Sequence, residues 1–193
     1  LRQPGQRIEL LRDRARLDHI QTDDFSWPCA PDESGPDFFL YDLSWARFCN
    51  GDIDPEAIHS ETGITVQDLA SLREAMTTIF QKHAPTAIAV KAQHAYNRTL
   101  QWKERSDSDA ARALSHILGG TSSVASQLCL GDWCWARGTE LAIEHNLPFK
   151  IHTGYYAGND RMPVSRIAAG NMCGLLARYL DCRFVLMHIA YPY

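Results

Sequence analysis

The sequence has no basic block and no glycine fingerprint of the Gly-x-Gly-x-x-Gly kind. No apolar run approaches the roughly 20 residues that a membrane span requires. Each absence excludes something. Nineteen lysines and arginines against 23 acids leave a net charge of −4, and without a clustered positive patch there is no electrostatic footprint for nucleic acid or an anionic membrane. The opening residues lack the pattern of a secretory leader, so a cytoplasmic protein is expected. The missing glycine fingerprint counts against a doubly wound dinucleotide fold. Cysteine is sparse for a secreted scaffold: six thiols spread over 193 residues read as reduced. Cys129-x4-Cys134 has no second pair with which to hold a structural zinc, and Trp133-Cys134 lacks the partner of a Cys-x-x-Cys redox site. There is no repeat, linker or low-complexity tract.

What is present is an alternation of strand-like and helix-like segments. Residues 8–16 read as the end of a helix, and 17–25 as a strand running into an acidic turn at Asp23 and Asp24, which fit the lining of a mouth but read first as a solvated turn. A loop rich in proline and acid follows over 27–36. Residues 37–43, dense in aromatics, form a second strand that Asn50-Gly51-Asp52 breaks. The 54–81 segment is helical in character. Pro55 suits a first helical position, and Thr65-Val66-Gln67-Asp68 resembles a cap before Leu69, Leu72, Met76 and Ile79, whose spacing puts them on one buried face. Residues 86–93 are the third strand, with Lys91 and Gln93 on one face and His94 on the other. Residues 107–118 form a helix closed by Gly119-Gly120, and 126–146 a longer one. A strand ending in His152 follows, with Phe149 and Ile151 to one side and Lys150 and His152 to the other. Residues 164–179 read as helical, and 183–188 as a last strand ending in His188.

Strands alternating with helices predict a mainly parallel sheet. The expected fold is α/β, an incomplete (βα)8 TIM-barrel type of about five parallel strands, with residues 1–193 forming one partial barrel domain. In such folds chemistry gathers at the carboxyl edge of the strands. There His152 fits a metal ligand and a core histidine bonded to backbone equally well. Lys91 fits a mouth cation or a solvated strand end.

The runs Phe149-Lys150-Ile151-His152-Thr153-Gly154 and Phe184-Val185-Leu186-Met187-His188-Ile189-Ala190-Tyr191-Pro192-Tyr193 resemble the amidohydrolase superfamily, in its amidohydrolase-related, decarboxylase-like branch, with uronate isomerases more distant. The likeness extends to Lys91 and Ala95-Tyr96-Asn97-Arg98, and is loose before Thr86. It implies barrel strands two to six, with His-x-His ligands before Leu1 and a last-strand aspartate after Tyr193. Leu1 is not a methionine and the chain stops just past a strand, so part of a longer protein is expected. Such a part leaves two unpaired sheet edges, from which self-association into a homo-oligomer is expected.

The resemblance implies a divalent metal, zinc first, with His152 as ligand. It implies His188 as acid, base or electrophile beside that metal, and Lys91 as a cation for a carboxylate or carbonyl. Arg98, Arg161 and Tyr191 are the implied substrate-binding residues; Arg166, Tyr155, Tyr156 and Trp27 are further candidates for the pocket. The implied reaction is metal-dependent hydrolysis of a small acidic or amide-bearing metabolite by metal-activated water. The alternatives are decarboxylation, uronate isomerisation, or a barrel kept as a non-catalytic module.

Overall fold

The computed structural model describes residues 5–23, 27–29, 38–154 and 163–188. A short helix α1 (Gln6–Ile8) runs into a π-helical stretch, Glu9–Arg14. Strand β1 (Ile20–Thr22) is much shorter than the 17–25 run predicts. Only Ile20 to Thr22 lie alongside the next strand, β2 (Phe39–Ser44), and Asp23 leaves the ladder to meet side chains of the third. The turn of helix α2 (Ala46–Cys49) follows β2 directly.

The helical 54–81 segment is two helices, the second starting at the predicted cap. Asp54 caps α3 (Pro55–Thr62), accepting from the Ala57 amide at 3.0 Å, and Gly63 ends it at φ +75°. Asp68 and Ser71 form a reciprocal capping box that starts α4 (Leu69–His83). Leu72, Met76 and Ile79 of that helix are fully buried, as their spacing predicts. Strand β3 (Ala87–Ala92), helix α5 (Asp107–Leu118), helix α6 (Val124–Glu144) and strand β4 (Phe149–His152) follow. The 164–179 segment is not one helix. The Arg166 carbonyl accepts from the Leu100 amide at 2.9 Å and the Ile167 carbonyl from the Gly154 amide at 3.3 Å, which takes them out of any helical ladder. What forms is two 3₁₀ turns, Val164–Arg166 and Ala169–Met172, then a short α7 (Cys173–Arg178) before β5 (Phe184–Met187).

All five strands are parallel and lie in chain order, β1-β2-β3-β4-β5. A doubly wound sheet reverses its order at a switch point; this one does not, which is the pattern of a barrel wall. The curl is directly visible. Lys150 Nζ on β4 donates to Gln21 Oε1 on β1 at 2.7 Å, although strands three places apart in a flat sheet lie roughly 14 Å apart.

The apolar core fills the space between the outer face of this half-barrel and the helices. Leu43, Trp45, Val90, Phe149 and Ile151 meet Leu72, Met76, Phe80, Leu130 and Trp135 there. Trp45 donates its indole N–H to the Cys134 carbonyl at 2.9 Å. It lies so close to α6 that a Cβ on Gly138 would sit 2.1 Å from Trp45 Nε1, so only glycine fits at that crossing. Burial of each such large side chain stabilises the layer by about 2–3 kcal/mol. Among the described residues no helix is long and apolar enough to cross a membrane.

Candidate active site

Residues paired across parallel strands point to the same face, so the register states what the inner wall carries. Ser44, Lys91, Lys150 and Val185 stand side by side on β2, β3, β4 and β5. Asp42 lies one layer below on β2, and His152 one layer above on β4. These side chains face away from the helices, into the barrel. The wall's polar members on β2, β3 and β4 are closed off from solvent: Lys91 and Lys150 are each 8% exposed, and Asp42 and His152 each 4%.

Two carboxylates answer the two ammonium groups. Lys150 Nζ sits 2.5 Å from Asp42 Oδ2 and also donates to Gln21. Lys91 Nζ is held more loosely, 3.9 Å from Asp23 Oδ2. The Gln93 amide donates to that same Asp23 oxygen. Asp23 is therefore part of the wall and not a solvated turn, because β1 ends early enough for it to swing inward. Burial pulls the Lys91 ammonium below its ordinary pKa; Asp23 and Asp42 pull it back up, and Lys150 adds to the downward shift. Burial pushes the Asp42 carboxyl up, opposed by the hydrogen bond and charge of Lys150.

At the carboxyl edge His152 lies between two other rings. Its Nδ1 is 3.1 Å from Tyr96 Oη, with ring centroids 4.6 Å apart, and the His188 ring lies on it at 4.5 Å. His188 itself, just past the end of β5, adopts φ +64°. Burial, then the neighbouring His188, then Lys91 hold the His152 pKa down to about 4, so its imidazole is neutral at physiological pH. A histidine fixed by a hydrogen bond to one ring nitrogen is the form in which imidazoles ligate metals through the other. Among the described residues, however, no three His, Cys, Asp or Glu side chains converge to hold an ion. His152 suits a ligand, but the described residues do not make a complete set of the usual three protein ligands or more.

The other expected residues lie elsewhere. Arg98 is buried behind the wall, where its guanidinium bonds Asp132 Oδ1 at 2.6 Å, the Cys49 carbonyl at 3.1 Å and the Thr99 carbonyl at 3.0 Å. Arg161 and Tyr191 lie outside the described residues, as do Tyr155, Tyr156 and Asp24. Trp27 stacks on Phe48 at 5.5 Å. His94 packs edge-on against Trp135 on the helix side, as the alternation predicts. Sequence reasoning missed Asp42, Gln21 and the tyrosine at His152. Strand alternation puts Lys150 on the His152 face, but only the curl identifies its partners.

No family model matches the chain, and no curated protein matches it. Its fold is that of solved barrel enzymes. A glucuronate isomerase from Caulobacter crescentus superposes with a TM-score of 0.71 at 14% identity, covering 95% of this chain and 44% of its own. A uronate isomerase from Thermotoga maritima gives 0.72 at 14%, covering 92% and 45%. A protein described as a metal-dependent hydrolase from Lactobacillus casei gives 0.70 at 16%, covering 96% and 48%. The chain spans less than half the length of each. At these identities the likeness establishes the fold alone: an incomplete TIM barrel.

Proposed function

We propose that this chain forms part of a metal-dependent enzyme acting on a small acidic or amide-bearing metabolite, with hydrolysis as the leading reaction. The observation that carries the reading is the cluster at the carboxyl edge. There His152, fixed by Tyr96 and covered by His188, stands on the same inward face as Lys91. His152 would ligate a divalent ion, zinc first, with further ligands from outside the described residues. Such an ion supplies Lewis acidity and a water of lowered pKa. His188, exposed beside His152, moves the proton. Lys91, the less tightly paired of the two lysines, offers its ammonium to a substrate carboxylate or carbonyl. Arg161 and Tyr191 complete the substrate contacts from the segments that follow β4 and β5, and the reading places the protein in the cytoplasm.

A second reading is supported equally: aldose–ketose isomerisation or decarboxylation. Two imidazoles and a lysine at one edge suit proton transfer without an attacking water, and solved uronate isomerases share the fold. A non-catalytic barrel module is the third. Both outermost strands, β1 and β5, carry an open edge among the described residues. Val185 and Leu186 are 42% and 39% exposed, which favours association with further chain or a second copy.

The test is metal analysis of the full-length protein after dialysis, for wild type and His152→Asn, followed by turnover of a panel of amides and uronates. The expected result is about one divalent ion or more per chain, lost in the variant, with turnover of one substrate class. A full-length protein without stoichiometric metal would sink the metalloenzyme reading.

A further inference from the structure

Away from the inner wall, two arginines converge on a cavity of about 370 Å³. Arg98 and Arg166 line it together with the amide side chains of Asn50, Asn97 and Gln127, and Asp52 stands at its rim. None of Lys91, Lys150, His152 or His188 contributes to the lining.

The charge there is unbalanced. The buried carboxylate behind the cavity, Asp132, is shared between Arg98 at 2.6 Å and Arg105 at 2.9 Å. Asp132 is thus divided between two guanidiniums, of which Arg98 lines the cavity, and Arg166 beside it has no carboxylate partner among the described residues. Asp52 does not offset this excess, since it already pairs with Arg47 at 2.9 Å.

Arg98 is also built in. Its Nε and both terminal nitrogens bond backbone carbonyls or Asp132, which fixes the plane of the guanidinium before anything binds. A Cβ on Gly131 would lie 2.8 Å from Arg98 Nη1 and 2.4 Å from the Cys49 carbonyl. A Cβ on Gly51 would lie 2.1 Å from the Gln127 carbonyl. Two glycines thus let the turn after α2 press against α6 and form the wall. In that wall Asn50 Oδ1 is buried with no hydrogen-bond partner among the described residues, an acceptor waiting for a donor.

We propose that this cavity, none of whose lining residues belongs to the inner wall, is a second binding site for a small hydroxylated oxyanion. The anionic head, carboxylate or phosphate, pairs with Arg166 and the remaining Arg98 donor, and a hydroxyl donates to Asn50. Guanidinium supplies the planar fork such heads require. The site does not depend on the metal chemistry proposed for the inner wall.

Isothermal titration calorimetry on the full-length protein at low ionic strength tests it, with glycerol 3-phosphate, D-glycerate, inorganic phosphate and neutral glycerol as probes. At least one of the two hydroxylated anions is expected to bind saturably, one per chain, and more tightly than inorganic phosphate; glycerol is expected not to bind. The tighter of the two identifies the head group. Arg166→Gln should weaken binding roughly tenfold or more. Asn97→Asp, at an exposed position, should weaken it in the same direction, and Lys91→Met should leave it unchanged. Absence of saturable binding by either anion overturns the proposal. So does binding that Lys91→Met abolishes while Arg166→Gln does not. Inorganic phosphate binding as tightly as both hydroxylated anions overturns the hydroxyl contact at Asn50.

Discussion

Lowering the pH should destabilise this protein through a histidine that takes no part in the proposed chemistry. His94 is fully buried, its ring edge-on to Trp135 at 4.2 Å, and both ring nitrogens lack hydrogen-bond partners among the described residues. Burial, and then the Arg98 guanidinium, hold its pKa well below the ordinary 6.5. The folded state thus keeps His94 neutral at pH values where the unfolded chain binds a proton. Stability associated with this group is fully present above about pH 6.5 and falls as the pH drops below it. For an unfolded pKa of about 6.5 and a folded pKa far lower, the loss between pH 7 and pH 5 is about 2 kcal/mol. With a urea m-value of about 2 kcal/mol/M, the midpoint should move down by about 1 M from this group alone.

The comparison is urea unfolding of wild type and His94→Leu at both pH values. Leucine has a similar volume and no nitrogen to leave unpaired, so at pH 7 the variant should lie within about 1 kcal/mol of wild type. At pH 5 it should be the more stable by about 2 kcal/mol. Other groups that respond to acid, His152 among them, are common to both proteins and cancel in the difference. An equal fall in midpoint for wild type and variant would refute the reasoning.

Two further outcomes follow from burial and pairing. Lys150→Met strands the Asp42 carboxylate and should cost about 3–5 kcal/mol, whereas Lys150→Met with Asp42→Leu should recover most of it; a double-mutant cycle in urea reads the coupling, and simple additivity would remove the pair from the account. Among the thiols, Cys173 is exposed while Cys49, Cys134 and Cys182 are buried, with burial raising the pKa of all three. Ellman's reagent should therefore titrate Cys173 rapidly in the native protein and those three only on unfolding; fast reaction of Cys134 would contradict the packing of α6.

Much of the fold is legible in the pattern of residues because most elements are locally determined. Helix α5 spans Asp107 to Leu118 and ends at Gly119-Gly120 as the sequence predicts, and α4 buries the face that its leucine, methionine and isoleucine spacing marks. The failures are non-local. Nothing near 164–179 announces that the carbonyls of Arg166 and Ile167 bond to Leu100 and Gly154, and so the helix breaks there. The site divides in the same way. Alternation places Lys91 with Gln93 and Lys150 with His152. It cannot show that Asp23 turns inward, or that Arg98 is held by a carboxylate 34 positions away. A lysine's partner depends on sheet curvature, which single-strand periodicity does not encode.

The bond from Lys150 to Gln21 joins groups 129 positions apart, and that separation has a kinetic meaning. Strand β1 is three residues long, too short to hold firmly by its ladder to β2 alone. The cross-barrel contact that pins it cannot form until the fourth strand has been made and docked. During synthesis from the amino terminus, the first strand can be tied to the third through Asp23, but gains its link to the fourth only later. Closing so long a loop slows the step that completes the curved wall.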